Sequence, residues 1–281
     1  MGHTKSGGHV WVAALSIAAL SQALAGSALS AQGVVLEAGT EAWADVGPST
    51  TWLLAGAVAG AATLFMMDDD LRDLLRDPLL QQSGTADFVA SSVSHLGGWA
   101  PVAVAGGVFV IGTLAGTESI ADPAIHTAGG LLAATVVTTA IKGVFGRARP
   151  RAAEDPVHEF GLGRGFREAG HPFRSFPSGH TTAAFAMAAV LSAESAHRWP
   201  RAHPYVKWSA YSLATLTGLS RMYHNQHWAS DVFLGAGIGV VVGKAFVRWR
   251  HKPDVGGLMN GLTVSPGPKR SLALRLQLPK G

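Results

Sequence analysis

Between the apolar runs Val206 to Leu219 and Val232 to Val247 stands the polar stretch Ser220 to Asp231, SRMYHNQHWASD. Runs of this length, rich in Ala and Gly, read as helices, so the stretch links two of them. The pattern repeats outward along the chain. PSGH, Pro177 to His180, precedes the run Thr181 to Ser192, and KGVFGRARP, Lys142 to Pro150, follows the run Ala124 to Ile141. Two further runs, Thr51 to Met67 and Trp99 to Gly116, complete a set of about six. The expectation is an all-α protein, a helical bundle of about six core helices. Small residues dilute the runs enough that both membrane spans and the buried helices of a soluble bundle fit.

If the last four runs alternate in direction, the three polar stretches meet at one end of the bundle. Lys142, Arg149 and Arg221 then neutralise a dianion, while the Ser178 hydroxyl and the Gly179 backbone N–H donate to its oxygens. His180 follows Pro-Ser-Gly at an expected helix start, where free N–H groups favour an anion. It is placed to protonate a leaving alkoxide and later to deprotonate water. Ser178 also has the chemistry of a helix cap. His227 and Asp231 are four residues apart, so a helix starting near Trp228 lets Asp231 accept a hydrogen bond from the His227 ring. The other ring nitrogen is then free to attack phosphorus and form a phosphohistidine. Arg147 and Arg151 flank the same turn and read as solvated or loop-pairing residues.

The combined pattern K-x6-RP, PSGH, SR-x5-H-x3-D resembles the type 2 phosphatidic acid phosphatase (PAP2) superfamily, which includes bacterial acid phosphatases and vanadium haloperoxidases. The likeness covers Lys142 to Asp231, about a third of the 281 residues, and each matched position carries the expected residue type. It implies a metal-independent phosphoric monoester hydrolase with no cofactor, inhibited by vanadate acting as a phosphate mimic. Its implied substrates are phosphate monoesters or pyrophosphates, with a phosphorylated lipid favoured if the helices sit in a membrane and a small phosphate ester if they do not. The resemblance also leaves open a soluble periplasmic nonspecific acid phosphatase, a vanadium-dependent haloperoxidase and a non-catalytic envelope protein.

Composition narrows the remaining classes. The net charge is +4, but only 14% of residues are charged and the basic ones form no blocks, which argues against nucleic acid as a partner. There are no cysteines, hence no disulfide framework and no thiolate metal site. Residues 1–31 combine His3 and Lys5, the apolar run Val10 to Leu20, and small residues around Ala25 to Ala31, the pattern of a signal peptide. A linker over 32–50, a helical phosphatase domain over 51–252 and a tail over 253–281 follow. His197, Arg198, Arg201 and Lys207 in one connection, with Arg248, Arg250, His251 and Lys252 after the last run, put basic residues at the end opposite the phosphate site. By the positive-inside rule that end is cytoplasmic and the site faces the periplasm or outside. That orientation requires Thr51 to Met67 to run outward, which conflicts with an exported N-terminus.

Four minor patterns resolve differently. His224, His227 and Asp231 form H-x2-H-x3-D, but three cations around them repel a divalent ion, and the run Asp68, Asp69, Asp70 reads as a solvated cap for a helix starting near Leu71. No metal ligands are therefore assigned. The long connection from Lys142 to Pro177 reads as a lid or a substrate-selecting loop, and its Gly161, Gly163 and Gly165 lack the preceding strand of a dinucleotide site. In the tail, Leu272, Leu274, Leu276 and Leu278 alternate with mostly polar residues, the period of a short strand without an evident partner.

Overall fold

Ala- and Gly-rich segments give slim helices whose backbones can approach closely, and the fold is built on that property. The computed structural model describes residues 48–152, 159–167, 172–251, 262–266 and 272–276, all within the compact unit Asp45–Gly281. The expected signal peptide and most of the linker fall outside them. The helices are α1 (Pro48–Phe65), α2 (Asp68–Leu75), α3 (Pro78–Gln81), α4 (Gly84–Ser94), α5 (Ala100–Leu114), α6 (Glu118–Phe145), α7 (Arg164–Arg167), α8 (Gly179–Arg198), α9 (His203–Tyr223) and α10 (Ala229–Arg250). A single 3-10 turn, His95–Gly97, joins α4 to α5. All six expected runs are helices, so the protein is all-α as anticipated.

Six of these helices run alternately up and down. Arg248 near the end of α10 donates to the Thr50 hydroxyl at the start of α1 at 3.0 Å. A Cβ on Gly112 of α5 would meet Ala121 of α6 at 2.9 Å, so those helices meet at the end where α5 stops. α1, α6 and α9 therefore run toward one end and α5, α8 and α10 away from it. This is the direction that the orientation argument required of Thr51 to Met67. α1 and α2 meet at a 72° bend, and α4 and α5 at 55°. Both bends lie at the end where α6 and α9 terminate.

The core is narrow. Ala57 and Ala61 of α1, Ala134 of α6, Ala186 of α8 and Leu234, Ile238 and Val242 of α10 form one buried cluster. On α10, Gly235, Gly239 and Gly243 recur every fourth residue and face α8. A Cβ on Gly235 would lie 2.8 Å from the Ser178 carbonyl and one on Gly243 2.6 Å from that of Ala186; one on Gly239 would collide with the Thr182 carbonyl. This seam lets the two backbones touch and fixes their register.

Outside the core, α6 over Ser119–Phe145 and α10 over Ala229–Arg250 are long and apolar enough to cross a membrane, and each bent pair would bring the total to up to four. Trp52, Met66, Trp99, Val104, Ile111 and Leu132 project from the bundle exposed. Large apolar side chains left outside on several helices are what a lipid-facing surface requires. The tail also gains a partner that the sequence did not reveal. β2 (Leu272–Leu276) pairs antiparallel with β1 (Leu262–Pro266), Val264 opposite Leu274.

Candidate active site

Each of the three polar stretches is shaped by a local device. α6 ends because Gly146 adopts φ +51°, a left-handed cap that turns the chain sharply after Lys142. Ser178 caps α8, its hydroxyl oxygen accepting from the Thr181 hydroxyl at 2.8 Å and the Thr181 N–H at 3.5 Å. Between α9 and α10, Asn225 takes φ +54°, a conformation Asn tolerates, and directs the chain into His227. Backbone bonds tie the stretches together: Ser178 N–H to Asp231 C=O at 2.9 Å, Ser175 N–H to Arg147 C=O at 3.0 Å, and Arg149 N–H to Pro172 C=O at 2.9 Å.

His227 is buried, with its two ring nitrogens in different surroundings. Nδ1 faces the Asp231 carboxylate at 3.7 Å and the Ser175 hydroxyl at 3.5 Å. Nε2 faces Arg149, 3.4 Å from a guanidinium nitrogen. The direct ring-to-carboxylate hydrogen bond expected from the spacing is thus replaced by a longer contact. The physical reason is that α10 begins at Ala229, leaving His227 ahead of the helix, while Asp231 Oδ2 reaches back to the Trp228 N–H at 3.0 Å. Ser175 fills the gap, donating to the same oxygen at 2.5 Å. The sequence reading missed Ser175, whose only signal was its place two residues before Pro177.

Burial holds the His227 ring well below its ordinary pKa, and the fields of Lys142 and Arg149 push the same way against a partial offset from Asp231. The ring is therefore neutral at physiological pH. With Nδ1 carrying the proton toward Asp231 and Ser175, Nε2 presents a lone pair to the cationic pocket. Arg149, lowered to about 10 by burial and by Arg151 and Arg221, stays charged.

The cations line that pocket. Lys142 Nζ donates to the carbonyls of Arg174 at 2.7 Å and Ser175 at 3.2 Å, and its Cε lies 3.4 Å from the position a Gly179 Cβ would take. Arg149 also donates to the Gln226 carbonyl at 3.1 Å and side chain at 3.2 Å. Arg221 sits in the last turn of α9, its Nε buried without a hydrogen-bond partner. His180 is partly exposed, and its Nε2 lies 3.9 Å from the Cβ position of Gly98. The turn 95–98 thus forms a wall of the site. All eight sequence-assigned residues, His227, His180, Asp231, Lys142, Arg149, Ser178, Gly179 and Arg221, belong to this one end of the bundle.

Two sequence expectations require correction. Arg147 is not solvated: it is fully buried and donates to Asp231 Oδ1 and Asp68 Oδ2, both at 2.7 Å, and to the Ser230 hydroxyl at 2.8 Å. The rings of Phe65, Phe160 and Trp228 lie 4.8 to 5.2 Å from its guanidinium carbon. Asp68 is not a solvated cap either. It is the first residue of α2, almost fully buried, and accepts the Ser230 N–H at 2.9 Å as well as Arg147. A charge in each segment loses water only because the other supplies compensation. His224, the other member of the H-x2-H-x3-D pattern, turns instead toward Ser91 and Asp87 of α4. The long connection, expected as a lid or a substrate-selecting loop, also touches the site. Its described parts are laced to the turn by bonds such as Gly161 N–H to Phe145 C=O at 3.2 Å, and a Cβ on Gly165 would collide with the Lys142 carbonyl.

Comparison with known proteins bears on the motifs and the fold. Residues 123–254 match the model of the PAP2 superfamily. The chain is 41% identical over 86 residues to a lipid A 1-phosphatase of Porphyromonas gingivalis; the match covers 31% of this chain and 18% of that protein, so less than a fifth of the relative is spanned. A transmembrane PAP2-type phosphatidylglycerolphosphate phosphatase of Bacillus subtilis superposes with a TM-score of 0.53 at 17% identity, over 73% of this chain and 96% of that one. LpxE of Aquifex aeolicus gives 0.47 at 24% identity, over 65% and 95%. The all-α bundle therefore resembles the fold of that transmembrane phosphatase, and residues 123–254, which contain all three motifs, are similar to the PAP2 superfamily.

Proposed function

We propose that the protein is a phosphatase of membrane lipid phosphates, working through a phosphohistidine without a metal, with its site on the extracytoplasmic face. The observation that carries the reading is the asymmetry of His227: Nδ1 toward Asp231 and Ser175, Nε2 toward Arg149. A neutral ring so oriented attacks phosphorus in line while Lys142, Arg149 and Arg221 hold the non-bridging oxygens and take up charge as it develops. The Gly179 N–H at the start of α8 adds a donor from a helix N-terminus, and the Ser178 hydroxyl has a proton left to give. His180, whose pKa burial and the charges of Arg221, Lys142 and Arg149 lower to about 4, takes up a proton as the phosphate dianion offsets those cations and gives it to the departing alkoxide. In the second half the same ring removes a proton from water, which attacks the phosphohistidine and returns His227 to its neutral form.

The lipid substrate is supported by apolar surface at the site. A groove lined by Leu96, Val104, Val108, Ile120 and Leu191 opens beside His95 on the wall of the pocket and follows α5, α6 and α8 toward Trp199. An acyl chain in that groove would bring its headgroup phosphate to His180. The exposed apolar faces of the helices favour this reading over a soluble acid phosphatase. The two named phosphatases among the relatives act on lipid phosphates, in keeping with it.

The test is phosphate release by the purified full chain from a panel of lipid and soluble phosphate esters, with EDTA, with orthovanadate, and in His227→Ala. Hydrolysis that prefers lipids, survives EDTA, is blocked by vanadate and vanishes in the variant is the expected result. A requirement for metal, or activity retained without His227, overturns the mechanism; preference for soluble esters overturns the lipid assignment.

A further inference from the structure

At the end of the bundle remote from the phosphate pocket, side chains from α6 and α8 and one just past α10 converge. Glu194 of α8 is completely buried, and a single oxygen, Oε1, is approached by His126 Nδ1 of α6 at 2.7 Å and by His251 Nε2, just past α10, at 2.9 Å. Glu194 lies fourteen residues along α8 from His180, about 21 Å at the helical rise per residue, so this cluster is separate from the site described above. Neither the motifs nor the proposed chemistry uses it.

We infer that His126, Glu194 and His251 form a binding site for a divalent transition cation of the zinc class. The three donor atoms all lie within 4.8 Å of one another, two of the separations being 2.7 and 2.9 Å. Four ligands at about 2.1 Å around zinc stand about 3.4 Å apart, so small rotations of the two rings open the triangle to fit one ion. Two imidazoles and a carboxylate are a donor set that zinc accepts, leaving a fourth position for water. His251 is 34% exposed in its side chain, which leaves an entry path for the ion and that water.

The outer groups are also set for a metal. Arg198 Nε holds the second carboxylate oxygen of Glu194 at 3.0 Å and reaches Asp122 at 2.9 Å, which fixes the plane of the carboxylate and leaves Oε1 aimed at the two rings. Charge limits the affinity. Glu194 and Asp122 are balanced by Arg198 and by Arg250, a buried guanidinium within Coulomb range of both. The ion's own charge is then uncompensated, which points to micromolar rather than tighter binding. Its effect is to pin α6, α8 and α10 together at the end away from the chemistry.

The experiment titrates Zn2+ calorimetrically, and Co2+ by its visible absorption, into chelator-stripped full chain in detergent at pH 7.5. It compares the wild type with His126→Ala, Glu194→Gln and His251→Ala, and reads the thermal unfolding midpoint with and without Zn2+. Expected are one equivalent bound per chain, a Co2+ band of tetrahedral intensity, a raised midpoint, and binding weakened about tenfold or more in each variant. His251→Ala removes a group about one-third exposed at a helix end and serves as the variant that keeps the fold. Absence of binding, or equal binding by the variants, overturns the site and leaves a hydrogen-bonded knot. Phosphate release from the same stripped samples separates the two proposals, because loss of hydrolysis on stripping indicts the metal-independent mechanism and not this site.

Discussion

The Arg147 guanidinium lies 2.7 Å from the Asp231 carboxylate, with neither side chain exposed to solvent. Its other arm is 2.7 Å from Asp68, equally enclosed, so one cation is shared by a carboxylate that faces His227 and one that starts α2. Removing one partner of such a buried set leaves an uncompensated charge and costs about 3–5 kcal/mol. Asp68→Ala is therefore expected to destabilise the protein by that amount in denaturant unfolding, and to lower activity by releasing Arg147 from its position. The neighbouring Asp69 is exposed, and Asp69→Ala should stay within about 0.5 kcal/mol of the wild type. Equal effects at the two positions would contradict the buried role of Asp68.

Ser175 stands between Asp231 and His227, within 2.5 Å of the first and 3.5 Å of the second. A hydrogen bond to a charged acceptor contributes about 1.5–3 kcal/mol. If the bond orients the nucleophile for the transition state, Ser175→Ala lowers kcat by about ten- to hundredfold with little change in KM. A rise in KM at constant kcat would instead place Ser175 in substrate binding.

The acid limb of kcat/KM should fall below the ordinary histidine pKa of about 6.5. Burial and the fields of Lys142 and Arg149 disfavour the charged form of His227, so the ring remains neutral and nucleophilic as pH drops through that value. Arg149→Gln removes one of those positive neighbours. It should move the acid limb upward while lowering the rate, and a limb that stays in place would assign it to another group.

Gly97 is required by approach. A Cβ there would sit 2.5 Å from the His180 carbonyl oxygen and 2.6 Å from its Cβ. Gly97→Ala must push the turn 95–98 away from α8, with an overpacking cost of about 1–3 kcal/mol. Thermal unfolding and kcat should both decline. Gly84→Ala, where nothing lies within 4 Å, is the matched control and should leave activity unaltered.

Residues whose position is carried by local pattern were legible in the sequence. Apolar runs gave the six long helices, and the three motifs gave Lys142, Arg149, His180, Arg221, His227 and Asp231, because each motif sits at a helix end and the ends alternate. What escaped depends on distant pairing. Nothing in Asp68-Asp69-Asp70 distinguishes the first aspartate from the others until Arg147, 79 residues away, is brought beside it. His126 and Glu194 lie inside helices, where a lone polar residue carries no motif. The strand at Leu272 could be read from alternation, whereas its partner, the short segment LTVSP, could not.

The glycine seam of α10 makes the phosphate pocket a matter of distance between two rods. Ser178 and Asp231 belong to different motifs, yet their spacing is gauged by Gly235, Gly239 and Gly243 resting on the α8 backbone. A methyl group added anywhere along that contact would act as a shim, prying His180 from His227 without touching either ring. The exposed apolar sides of the same helices carry no such constraint. Their residues can change without altering that spacing, while the jaws of the site keep one gap.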